Sequence, residues 1–119
     1  MRFALYTLLA IGAVWAHDPP KAAKSVTVTG PVVDTGCYLS HETKGGQHVT
    51  CATACAKAGV PLAIVDEKTG TVYLPVAADH KSQNTRLMPF IEKKVKATGT
   101  LVEKGGIKGI ILKTVEAAE

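Results

Sequence analysis

Two runs of alternating β-branched and aliphatic residues, Lys94 to Glu103 and Ile107 to Val115, flank Lys104-Gly105-Gly106. A Gly-Gly pair between such runs predicts a tight hairpin, because both residues must adopt positive φ. A second hairpin is predicted from Leu62–Asp66 and Thr71–Val76, joined by Glu67-Lys68-Thr69-Gly70. Ser25 to Val33 alternates Val26, Val28 and Val32 with threonines, as a half-buried strand does, and Gly30-Pro31 predicts a bend in it. Val26-Thr27-Val28-Thr29-Gly30 is echoed by Val95-Lys96-Ala97-Thr98-Gly99, so both strands are expected to bend at the glycine, as closure of a small barrel requires.

Between the first strand and the first hairpin the pattern changes. Asp34 to Gln47 is polar and glycine-bearing and reads as a loop. Val49 to Ala58 is alanine-rich, has Thr50 as a candidate cap, and is followed by Gly59 and Pro61, the order that ends a helix. Ala77 to Asn84 reads as a polar loop, and Thr85 to Glu92 as a helical turn broken by Pro89. The expectation is a mainly β domain: a small five-stranded OB-like barrel with one short helix after the first strand.

The stretch Val95 to Val102, followed by Gly105-Gly106 and Ile110-Ile111-Leu112, resembles the last hairpin of small exported bacterial OB-fold proteins. Several of these carry a cysteine- and histidine-bearing insertion like the segment from Cys37 to Cys55. The resemblance covers most of the chain after its leader and implies a five-stranded barrel. It implies no activity, because folds do not fix functions.

The start of the chain bounds where it works. Arg2 precedes an apolar run, Phe3 to Val14, and Val14-Trp15-Ala16 suits signal peptidase. The run is shorter than the roughly 20 residues that span a bilayer, so no stable membrane anchor is expected. The predicted division is a signal peptide over 1–16, an extended Pro- and Lys-bearing arm over 17–24, and the domain over 25–119. The expected location is periplasmic or secreted. The net charge of +4 falls by one with Arg2 and is spread without runs, so charge alone selects no partner. Beyond the leader the aromatics are Tyr38, Tyr73 and Phe90, too few for a stacking platform, which argues against nucleic acid.

Exported thiols meet oxidising conditions and tend to be paired or metal-bound, and three cysteines cannot all pair within one chain. His48, Cys51 and Cys55 form H-x2-C-x3-C, spacings that share one face of a helix. Cys37 can fold back over that stripe. Three thiolates and an imidazole are a complete donor set for one tetrahedral zinc ion, and soft thiolates also select Cu(I). The expected site is therefore Cys37, His48, Cys51 and Cys55 around one transition-metal ion, zinc or copper. The ion would be structural, or cargo bound for an exported metalloprotein recipient. Two other readings stand beside it: a Cys37 disulfide to one helix cysteine in a thiol-redox or interaction module, and an oligonucleotide- or oligosaccharide-binding barrel. Weaker ligand candidates are His41, His80, Met88, and His17 at the new N-terminus after cleavage.

Asp34, Asp66, Glu67 and Asp79 make no recognisable acid–base pair. Phosphate-loop, G-x-S-x-G and C-x-x-C-H motifs are missing. The expectation is a binding protein and not an enzyme.

Overall fold

The computed structural model describes residues 24–119. The predicted signal peptide, and the arm up to residue 23 with His17, lie outside the described residues. Five strands, β1 (Lys24–Asp34), β2 (Leu62–Val65), β3 (Val72–Pro75), β4 (Lys94–Lys104) and β5 (Ile107–Ala117), close into a barrel in the order β1-β2-β3-β5-β4. Every pairing is antiparallel except β3 with β5. This is the mainly β, OB-like barrel expected from the sequence, and the strand boundaries fall within two residues of those predicted. Among the described residues, no helix is long and apolar enough to cross a membrane.

β1 belongs to both halves of the barrel. Lys24 to Pro31 pair with β4, and Val32 to Asp34 pair with β2. The changeover falls at Gly30-Pro31, where a Cβ on residue 30 would collide with the Val65 carbonyl oxygen. The backbones of β1 and β2 thus approach too closely for any side chain. The echo at Gly99 does the same work on β4: the register with β5 shifts between Thr98 and Gly99, and a Cβ there would strike the Ile111 carbonyl. Such a shift bends the strand and tightens the twist that closure demands. The β4–β5 turn places Gly105 and Gly106 at φ 58° and 82°, as the Gly-Gly pair predicts.

The core is aliphatic. Val28, Val32, Leu62, Ile64, Leu87, Ile91, Val95 and Ile110 are almost or wholly buried. The helix predicted over 49–58 is present as α2 (Val49–Lys57), preceded by a 3-10 turn over Gly46–His48. It starts one residue before Thr50, with His48 at the cap position and no side-chain capping bond. α2 docks through the two alanines that are buried, Ala52 and Ala56. The segment read as a loop is also helical in part, as α1 (Thr35–His41). Its propensities are poor, and nothing in it has helical apolar spacing. It forms because Asp34 caps it, accepting from the Cys37 N–H at 2.8 Å, while Thr35 N and Oγ1 both donate to the Pro61 carbonyl.

α3 (Asn84–Leu87) runs into a 3-10 turn over Met88–Phe90, as the broken helical turn predicts. Asn84, assigned to a loop from the sequence, bolts three elements together. Its Oδ1 accepts from Leu62 N at 2.9 Å, and its Nδ2 donates to the carbonyls of Ala56 at 3.1 Å and Val60 at 2.8 Å. It thereby adds a second donor to the Ala56 carbonyl at the end of α2, which also accepts from Gly59 N at 3.1 Å.

Gly30→Ala is expected to cost on the order of 3 kcal/mol or more, because backbone and not a side chain would have to yield. Gly46→Ala, with nothing within 4 Å of the new Cβ, should stay within about 0.5 kcal/mol. Asn84→Ala strips partners from a backbone donor and two carbonyls and should cost about 2–3 kcal/mol. Urea unfolding of the three variants measures all of these.

Candidate metal centre

Two consecutive helices carry the thiols to one place. Cys37 lies in the first turn of α1, immediately after β1 ends. Cys51 and Cys55 stand one turn apart on α2, so both face the same side. The three Sγ atoms lie within 4.8 Å of one another. All three cysteines are free thiols; Cys51 is exposed, and Cys37 and Cys55 are half-buried. A trio of sulfurs this close can hold a metal ion, since Zn–S bonds of about 2.3 Å place neighbouring sulfurs of a tetrahedral site about 3.8 Å apart.

His48 behaves differently from the expected fourth member of that set. It is grouped with Cys37 and Asp34, not with all three thiols. Its Nε2 lies 2.9 Å from Asp34 Oδ2, and its side chain is only 11% exposed. The cause is positional. His48 is at the cap of α2, at the end of a 3-10 turn, and so sits off the regular helical stripe that would align it with Cys51 and Cys55. Asp34 ends β1 directly beneath it. Two overlapping groups result, Cys37/Cys51/Cys55 and Asp34/Cys37/His48, and either can hold a metal ion.

Asp34 is the residue the sequence reading passed over. It is fully buried, the one buried charged side chain of the described residues. Burial alone would push its carboxyl up, but the Cys37 N–H and the His48 imidazole outweigh burial and hold it below the ordinary carboxylate value. The available signal was an N-cap residue at the end of a strand; without an apolar helical pattern after it, that signal was silent.

The thiols respond to their surroundings in the opposite sense. Burial, then the negative charge of Asp34, then the neighbouring thiols push Cys37 up to about 11. Burial and Cys51 push Cys55 up as well. Burial and neighbouring negative groups both disfavour the thiolate, and a bound cation offsets them.

Glu92 closes the far side of the loop. Its Oε2 accepts from Gly45 N at 2.5 Å, which ties the glycine-bearing loop to the turn before β4. Its Oε1 is buried and has no hydrogen-bond partner. Burial raises its carboxyl above the ordinary value, against the pull of the Gly45 N–H and His48. The remaining candidates stand apart from both groups: His41 and His80 are exposed, and Met88 packs against the core. Among the described residues, no third group of metal-ligating side chains occurs.

The fold and site thus define a small closed β-barrel with a helical insertion that carries a cysteine/histidine cluster able to bind metal. No protein-family model matches the chain, and no curated protein or solved structure matches it either.

Asp34→Ala should cost about 2–4 kcal/mol, since it uncaps α1 and orphans the His48 ring together. Asp34→Asn keeps an acceptor for Cys37 N and should cost less. The Asp34 carboxyl is depressed in the folded state. Its contribution is therefore complete above its unfolded value of 3.8 and is lost as pH falls through its lower folded value. Glu92 has the opposite sign: its raised carboxyl favours the fold below 4.5 and costs stability once ionised at higher pH. Denaturant titrations from about pH 2 to pH 8 should show wild type losing an acid-side increment that Asp34→Asn lacks.

Proposed function

We propose that the protein is an exported metal-binding domain in which Cys37, Cys51 and Cys55 hold one soft transition-metal ion as exchangeable cargo. The observation that carries this reading is the convergence of three sulfurs from two helices at a surface where Cys51 is exposed. A structural zinc site is normally closed by four protein ligands. Here the histidine expected as the fourth is held by Asp34. Three thiolates suit Cu(I), which is soft and takes fewer ligands. Zinc is the alternative occupant, with His48 turning to it as the fourth ligand. An exported metalloprotein is the natural recipient, and the apolar leader over 3–14 supports a periplasmic or secreted location.

The resemblance to exported OB-fold proteins supports the same setting, but the function rests on the insertion and not on the barrel. The thiol-redox reading draws on the same proximity of sulfurs.

The test is metal analysis of the domain purified, reduced and intact, from its native compartment. One equivalent of copper or zinc per chain is expected, and Cys51→Ser should lose it. Binding should release two to three protons and strengthen steeply between about pH 6 and pH 9, since the thiols must ionise. A saturating ion at about 100 times its Kd should raise stability by about 2.7 kcal/mol. Stoichiometric metal in Cys51→Ser, or one disulfide with a lone free thiol in the native protein, would overturn the reading.

A further inference from the structure

The two overlapping ligand groups share one residue, Cys37. Nothing forces them to be alternatives. Asp34 Oδ1 is occupied by the Cys37 N–H, and Oδ2 faces the His48 ring nitrogen, with the Cys37 thiol beside the carboxylate. An ion between Nε2 and Oδ2 would take the place of the proton they share and leave the helix cap intact. The room needed is small. Zinc bonds of about 2.0–2.2 Å to nitrogen and oxygen place the two donors about 3.4 Å apart. The present 2.9 Å contact has to open by a few tenths of an ångström.

A second observation points to a cation at this place. Glu92 Oε1 is buried with no partner, while its sister oxygen holds Gly45. Glu92 lies close enough for the charges of both His48 and Asp34 to act on its carboxyl. A carboxylate oxygen taken from water without a donor is costly, and a nearby cation removes the cost. A carboxylate, an imidazole and a thiol are a harder donor set than three thiols, and such mixed oxygen, nitrogen and sulfur sets suit zinc-class divalent ions.

We propose that Asp34, Cys37 and His48 form a second metal position that takes a zinc-class divalent ion, with Glu92 as a neighbouring negative charge, while the thiol trio holds its soft ion. The Cys37 thiolate then bridges the two metals. The divalent ion takes the His48 Nε2 lone pair, with the ring proton carried on Nδ1, and the Cys37 thiol proton goes to solvent where the thiol trio has not already released it. The site shares Cys37 with the thiol centre but does not need that centre to be filled.

The experiment uses the reduced, metal-free domain, loaded with one equivalent of Cu(I) and then titrated with zinc in a calorimeter. Wild type should take one further equivalent. His48→Ala should weaken that zinc step at least tenfold, Glu92→Gln should weaken it less, and both should leave the copper stoichiometry at one. Cys51→Ser should do the reverse, losing copper while keeping one zinc. Circular dichroism and thermal melting of each variant show that the barrel is intact, and His48→Gln serves if His48→Ala does not fold. The proposal is overturned if copper-loaded wild type takes no zinc, if the folded His48 variant binds zinc as wild type does, or if Cys51→Ser loses both metals together, as a single shared centre requires. Failure of the thiol centre alone reads differently: no copper binds to wild type, while a zinc equivalent sensitive to His48 persists.

Discussion

A single carboxylate, that of Asp34, organises the helical insertion. It sits where β1 ends, sealed from solvent, and each of its oxygens is committed to one element. One oxygen caps α1 and so fixes the start of the helix that carries Cys37. The other takes the His48 ring and so fixes the start of α2, which carries Cys51 and Cys55. The barrel supplies the fixed end of this arrangement, because Asp34 is also the last residue of β1 in register with β2, opposite Leu62. The position of three thiols relative to each other is thus set by two hydrogen bonds from a strand terminus. A buried charge of this kind contributes little if replaced wholesale by apolar groups, but removing it alone leaves two polar partners stranded. Its value lies in specifying geometry.

The barrel was legible in the sequence because every strand carries its own period and its own punctuation. Gly105-Gly106 marks a turn that only positive φ can close, and the Gly30 and Gly99 echo marks the two bends where strands approach too closely for a Cβ. These are local statements, written in adjacent residues. The gathering of Cys37, Cys51 and Cys55 was legible for a related reason: helical spacing aligns two of them, and a connection as short as that from β1 to α2 keeps the third nearby. What escaped was the part written in long-range contacts. α1 has no periodic pattern and is called into being by its cap. Asn84 reads as a loop residue until Ala56, Val60 and Leu62 are seen around its amide. The 3-10 turn that rotates His48 away from the thiol stripe has no signature that a helical wheel can register.

His48 shows how a small backbone irregularity redistributes chemistry. On a regular helix extended by one residue it would add an imidazole to three sulfurs and close a tetrahedral site. Held instead against Asp34, it leaves the sulfurs as a three-coordinate set and builds a separate oxygen–nitrogen–sulfur group next to them. The two sets differ in softness, which is the property by which protein sites separate metals when affinity order alone would not. The sharing of Cys37 couples them: an ion in either position takes up the negative charge that otherwise raises the other thiols.

Whether an ion in the thiol trio acts as a staple or as cargo turns on what holds α2 when the ion is gone. Its anchors are already apolar and hydrogen-bonded. Ala52 and Ala56 are buried against the barrel, and Asn84 holds the carboxyl end through Ala56. The thiols flank that buried face, with Cys51 exposed and Cys55 half-buried. Small domains that depend on a metal place it where the core is too thin to close. This barrel is closed through all five strands without contribution from any sulfur. If those anchors hold α2 when the thiols are empty, an ion at the rim can leave without unfolding its host, which is what the proposed cargo role requires.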